Sequence, residues 1–267
     1  MMSAPQIRPQ PQPKVVAHRG ASHEHAEHTL AAYVAALEAG ADGLECDVRL
    51  TADGHLVCVH DRTLRRTAAN KNLVSTMDLA ELNELDFHSW KNPWAELDDE
   101  RPDTDEIGVL TLRKLLEAAA DYDRRVEVAI ETKHPTRFGG LVEKRLVEML
   151  QDFGWDKEGS PVRVMSFSFT ALQRVERTAP GVRLVQLIDK PQYWQLLRRV
   201  IGDDWLIGPG NELLAEHPKL ARRMAASGHT MHCWTVNTLA DLQMCQELGV
   251  EAIITDRPAY MLDALGR

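Results

Sequence analysis

KVVAHRGASHEHAEHTLAAYVAALEAGADGLECDV, residues 14–48, reads as a strand, a polar loop, a helix and a second strand. Lys14-Val-Val-Ala17 is the short apolar run of a buried strand. Beyond the loop, Leu30, Tyr33, Val34 and Leu37 recur at i, i+3, i+4 and i+7, which predicts one apolar face of a helix beginning near Thr29. Gly40 stands just past its end, where helices favour glycine. A strand over 43–48 follows.

The alternation continues outward. An extended arm covers 56–60, and Thr111 caps a helix over 111–122 whose stripe is Leu112, Leu115, Leu116 and Ala119. Further strands are expected over 126–132, 162–166, 183–187, 205–207, 230–235 and 252–255. The helices between them are expected over 141–153, 171–179, 192–200, 218–226 and 239–248, with Thr238 as a cap, and a short one starts at Pro258. About eight β/α units imply a parallel sheet closed into a (β/α)8 TIM barrel, a single catalytic domain over 14–267. Residues 1–13, with Pro5, Pro9, Pro11 and Pro13, read as a flexible N-terminal tail. The stretch 61–107 is too long for an ordinary connection and reads as an insertion beside the site. It holds Trp90, Trp94, an acidic run over 98–103 and a small helix over 79–85 with Asp78 as its cap.

Composition bounds the function. Hydrophobic residues make up 44% of 267, enough for a sizeable core, and the net charge of −9 opposes nonspecific binding to nucleic acid or an anionic membrane. No run is apolar and long enough to span a bilayer or to form the core of a signal peptide, so a cytoplasmic location is expected. Cys46, Cys58, Cys233 and Cys245 form no CxxC pair and read as reduced core residues without a metal role.

In such a barrel, catalytic groups project from the carboxyl ends of strands. His18 and Arg19 end the first strand, Glu45 and Asp47 lie two apart on the second, His60 ends the arm, and Glu131 and Lys133 lie two apart on the next strand. A spacing of two puts Glu45 and Asp47 on one face, where they repel unless a cation lies between them. With Glu131 they make three hard oxygen ligands, suited to Mg²⁺ or Ca²⁺, with Mn²⁺ also admissible. The competing reading is a set of ion pairs with Arg19, Arg49 and Lys133. Two histidines that titrate near neutrality can divide proton removal from proton delivery, which phosphodiester cleavage requires. Arg19, Lys133 and the cation would neutralise phosphoryl charge. Trp234, with Trp90 or Trp94, would wall a glycerol or a cationic head group. His23, His25, His55, His88, His217 and His229 are read as structural or surface residues, and Asn237 and Asp256 as caps of the helices after them.

Ala17-His-Arg-Gly-Ala21, Glu27-His-Thr-Leu30, the block from Gly40 to Gly54 and Val59-His-Asp-Arg-Thr-Leu64 closely resemble the glycerophosphodiester phosphodiesterase family. Ile130-Glu-Thr-Lys133, Cys233-Trp-Thr-Val-Asn237 and Ile253-Ile-Thr-Asp256 extend the resemblance to nearly the whole chain. It implies a metal-dependent barrel that hydrolyses deacylated phospholipids to sn-glycerol 3-phosphate and an alcohol. By motif match, His18 and His60 are the acid/base pair, Glu45, Asp47 and Glu131 the metal ligands, and Arg19 and Lys133 the phosphate-binding cations. His28 stands where the family carries asparagine. Two other readings compete: cleavage of intact or lysophospholipids in the manner of phospholipase D or C, which calls for an exposed apolar lip, and a catalytically silent binding barrel, which calls for the loss of a site residue. None is lost.

Overall fold

The computed structural model describes residues 12–91 and 107–267. Most of the expected tail lies outside the described residues, as do Trp94 and the acidic run over 98–103. The strands are β1 (Lys14–His18), β2 (Gly43–Leu50), β3 (Leu56–Cys58), β4 (Glu127–Thr132), β5 (Val162–Ser166), β6 (Arg183–Ile188), β7 (Leu206–Pro209), β8 (His232–Trp234) and β9 (Ala252–Thr255). Eight of them run parallel in the order β7-β6-β5-β4-β2-β1-β9-β8, and β3 folds back antiparallel onto β2. Parallel bridges from Ile207 to Met231 and from Gly210 to Trp234 join β7 to β8, so the sheet closes into a nearly complete (β/α)8 barrel.

The period of two sorts each strand. Leu44, Cys46 and Val48 of β2 pack outward into the main core under the helices. Val16, Ala129, Met165, Val185, Leu187, Leu206, Ala252 and Ile254 fill the barrel interior. Gly43 lets β2 and β4 meet, because a Cβ there would stand 2.6 Å from the Glu127 carbonyl oxygen. All four cysteines are free and buried.

The helices are α1 (Leu30–Glu38), α2 (Leu79–Asn83), α3 (Leu112–Ala120), α4 (Leu141–Asp152), α5 (Phe169–Thr178), α6 (Pro191–Leu197), α7 (Asn211–Glu216), α8 (Pro218–Ala225), α9 (Leu239–Glu247) and α10 (Pro258–Ala264). The α3 stripe is buried as its spacing predicts, and Thr111 and Thr238 cap α3 and α9. The α1 face differs from the expected one: Ala32, Tyr33, Ala36 and Leu37 are buried while Leu30 and Val34 are exposed. Small alanines let α1 approach the first loop, whose Gly20 lies against Ala32. Helix α7 was not expected; it ends at His217, where Pro218 starts α8. Among the described residues, no helix is long and apolar enough to cross a membrane.

The described part of the insertion is organised. Leu64, Val74, Met77, Leu82 and Phe87 form an apolar cluster with Val57, Val59 and Val109, and Asp78 and Glu81 form a capping box on α2.

At the amino ends of the strands, Arg163 pairs with Glu127 at 2.6 Å, while His232 and Arg183 reach Glu251 at 3.4 and 3.2 Å. That end of a barrel serves stability. Burial, then the charge of Arg163, lower the pKa of His232 from 6.5 to about 4. Between these values the unfolded chain binds more protons than the folded one, so this contribution is present above pH 6.5 and is lost as pH falls towards 4. The loss is on the order of 3 kcal/mol. His232→Gln is expected to flatten that part of the pH dependence of melting; an acid slope unchanged from the parent would refute the assignment.

Candidate active site

Register brings the predicted groups together. His18 of β1 lies beside Glu45 of β2, and Asp47 lies beside Glu131 of β4. One carboxylate oxygen from each of Glu45, Asp47 and Glu131 falls within a 4.8 Å cluster, and all three residues are buried. Lys133 Nζ sits 2.8 Å from Asp47 and 2.7 Å from Glu131, and Arg19 Nε sits 2.9 Å from Asp47. Part of the ion-pair reading is therefore realised. The cations do not satisfy the cluster, however. Burial and then the charge of Asp47 push Glu45 well above the usual carboxylate range and Glu131 up to about 7. For Asp47 burial is outweighed by Lys133 and Arg19, which hold it well below that range. Asp47 Oδ1 is buried against Lys133 Nζ at 2.8 Å. Three hard oxygen donors buried within 4.8 Å of one another, two of them pushed towards protonation by burial and a neighbouring carboxylate, fit a divalent cation.

The two histidines are each oriented by a carboxylate. His18 Nδ1 lies 2.6 Å from Asp256 and His60 Nδ1 lies 2.7 Å from Asp61. An ionised carboxylate only accepts, so in both rings Nδ1–H donates and Nε2 is left free. His18 Nε2 is 4.0 Å from Glu45. Burial lowers the pKa of His60 to about 4. Asp256 is not a helix cap, contrary to expectation. It also accepts from Ser22 at 3.0 Å and from Asn237 Nδ2 at 2.7 Å, while Asn237 Oδ1 accepts from the Asp256 amide at 3.0 Å. Asn237 is not a cap either, its side chain being taken up by Asp256 and Thr255, while Thr238 caps α9 as expected.

Arg19 has φ 59° and His28 φ 60°, a backbone region that non-glycine residues seldom enter, and both contact Asp47. His28 Nε2 lies 3.0 Å from Asp47, and its Nδ1 lies 2.8 Å from the Tyr33 hydroxyl. Arg66 of the insertion bonds Glu27 with two nitrogens and Asp61 with a third, tying the insertion to the His60 support. Burial would raise the Glu27 pKa, but Arg66 and Arg19 bring it down to about 2.

His18, Arg19, Glu45, His60, Glu131, Lys133 and Trp234 line one cavity of about 170 Å³ with Met165, Phe167, Leu187, Thr235 and Ile254. Asp47 stands behind it. Trp234 donates to the Gly208 carbonyl at 2.8 Å and meets Phe167 edge-on at 5.5 Å. Trp90 does not share that wall; it lies under the Arg66 guanidinium at 5.5 Å.

Residues 18–260 match the model of the glycerophosphoryl diester phosphodiesterase family. The chain belongs to this family. Among its curated members, the chain is 46% identical over 252 residues to "Probable glycerophosphodiester phosphodiesterase 1" of Mycobacterium tuberculosis, covering 92% of this chain and 90% of the relative. It is 30% identical over 247 residues to a glycerophosphodiester phosphodiesterase of Bacillus subtilis, covering 91% and 83%. A solved phosphodiesterase of Oleispira antarctica, in complex with the product sn-glycerol-3-phosphate, superposes with a TM-score of 0.78 at 24% identity, covering 96% of this chain and 98% of that one. That likeness supports the barrel fold.

Within this family frame, the motif residues His18, Arg19, Glu45, Asp47, His60, Glu131, Lys133 and Trp234 all reach one end of the barrel. Asp61, Asp256 and Asn237 were missed as site residues. Position carried a signal, since Asp256 follows β9 and Asn237 follows β8 at the catalytic end, and Asp61 adjoins His60.

Proposed function

We propose that the protein hydrolyses glycerophosphodiesters to sn-glycerol 3-phosphate and an alcohol, with His18 and His60 as the acid/base pair. The observation that carries this is the convergence on one cavity of two carboxylate-oriented imidazoles with Glu45 and Glu131, whose carboxylates cluster with that of Asp47. Glu45, Asp47 and Glu131 would hold a divalent cation, Mg²⁺ or Ca²⁺, which when bound neutralises phosphoryl charge. Arg19 and Lys133, which both reach the cavity, add positive charge against the phosphate oxygens. The free Nε2 atoms of His18 and His60 serve as the proton-accepting and proton-donating atoms on either side of the phosphorus. The names carried by the relatives agree with this reading. Its test is an assay of several glycerophosphodiesters with the divalent ion titrated and glycerol 3-phosphate detected; no release of that product at any ion concentration would overturn the reading.

Asp256 acts through His18. Asp256→Asn is expected to lower turnover by about 10–100-fold, since partners that fix a functional histidine's orientation are worth that much. The pH–rate profile is expected to shift while substrate KM changes little. An unshifted profile with the same loss would mean that Asp256 acts only on folding.

A further inference from the structure

We infer that the protein binds a free phosphate dianion in a second, cationic pocket beside the catalytic cavity, and that its occupation slows turnover. The pocket has a volume of about 150 Å³ and lies between the insertion and the loop from β4 to α4. Four cations line it, Arg49, Arg62, Lys133 and Arg137, together with Ser75 and Thr136; the rest of the lining is apolar, and no carboxylate is part of it. Pockets for drug-sized molecules run to about 300–1,000 Å³, so this one suits a small ion. Of its lining, only Lys133 is shared with the catalytic cavity.

Lys133 is already held by Asp47 and Glu131, but the other three cations are short of counter-charge. Among the described residues, Arg49, Arg62 and Arg137 form no ion pair. Arg49 spends Nε and Nη2 on the His60 carbonyl, at 3.0 and 2.6 Å, which leaves Nη1. Burial depresses its pKa against the pull of Asp47 and Glu131, and the charge of Arg62 depresses it further. Arg137 lays the face of its guanidinium on the Phe138 ring at 5.1 Å, which leaves its edge donors for a ligand. Thr136 Oγ1 accepts from the Phe138 amide at 3.2 Å and keeps its O–H to donate. Guanidinium forks and hydroxyls around a small space with apolar walls match the oxygens of a phosphate, and the excess of positive charge favours its dianion. Arg62 and Arg137 are exposed, so a free ion can enter from solvent.

The effect on turnover follows from Arg49 and Lys133. An anion that draws on Arg49 competes with the His60 carbonyl, and one that draws on Lys133 competes with Asp47 and Glu131. Both shifts disturb the catalytic cavity without filling it. This part rests on the phosphodiesterase reading above, and it makes the proposed product, itself a phosphate monoester, one of two sources of the ligand; inorganic phosphate is the other.

The test is equilibrium dialysis of the Mg²⁺-loaded protein against inorganic phosphate. Arg62→Gln and Arg137→Gln are each expected to weaken one phosphate site by about tenfold, the scale of a charge-assisted hydrogen bond, and the double variant to bind one phosphate fewer than the parent. In phosphate-free buffer the variants are expected to turn over glycerophosphocholine within about twofold of the parent. At saturating glycerophosphocholine, inorganic phosphate and glycerol 3-phosphate are each added in turn. At least one is expected to lower the kcat of the parent and to spare the double variant, and whichever acts at the lower concentration is the source. Ser75→Asp, which puts a carboxylate into the pocket, supplies the same test should the double variant melt early. Equal phosphate stoichiometry in parent and variants, or inhibition that is purely competitive in the parent, would confine the anion to the catalytic cavity and overturn the inference. A parent that turns over no glycerophosphocholine would remove the phosphodiesterase reading, and the dialysis would still decide whether the second site exists.

Discussion

His18→Ala and His60→Ala are each expected to lower glycerol 3-phosphate release by about 10²–10⁴-fold, the range a positioned general acid or base supplies. Folding is expected to survive, because neither ring is part of a core cluster. His18 and His60 side chains are part-exposed at the cavity, and Asp256 keeps Ser22 and Asn237 as partners when His18 is truncated. The change in stability is therefore expected within about 1 kcal/mol, read from denaturant midpoints. The double variant is the sharper measurement. If the two imidazoles serve one transition state, the combined loss stays close to the larger single loss instead of multiplying. Wild-type turnover in both single variants would remove the acid/base assignment. A loss that tracks a fall in melting temperature would mean that the rings support structure instead.

Much of the fold was legible because its code is periodic. The α3 stripe and the pairing of Glu45 with Asp47 on one face of β2 follow from local spacing alone. That Glu131 joins them depends on β2 and β4 being neighbours across the insertion, which follows only once a barrel is inferred. The misread features depend on packing. On α1, Leu30 and Val34 match the helical period as well as Ala32 and Ala36 do, and only the approach of Gly20 decides which face is buried. Helix α7 has under two turns before His217 and Pro218, too little for a period to register. Asp256 precedes Pro258 and looks like a cap, while its contact with His18 spans 238 positions of sequence. Trp90 carries no local mark that it stacks on Arg66 instead of facing the cavity.

Glu131→Gln is expected to stabilise the metal-free protein and to destroy its activity. In the folded chain, burial and the charge of Asp47 raise Glu131 from 4.5 to about 7, so the folded state binds more protons than the unfolded chain in that window. The contribution of Glu131 to stability is then full below pH 4.5 and is lost as pH rises through 7, by an amount on the order of 3 kcal/mol shared with the carboxylates coupled to it. A neutral amide has no such loss. Metal-free Glu131→Gln is therefore expected to melt above the parent near pH 7, with the difference vanishing below pH 4.5, where the parent glutamate becomes protonated in both states. Adding Mg²⁺ or Ca²⁺ reverses the order, because a cation bound only to the folded state stabilises the parent through ligands the variant has lost. Chelator is expected to abolish parent turnover and readded ion to restore it, while the variant responds to neither. This crossing of melting temperatures separates a cation site from a set of ion pairs. If Lys133 and Arg19 were the only intended partners of the cluster, Glu131→Gln would melt below the parent under every condition, and added ion would move neither protein.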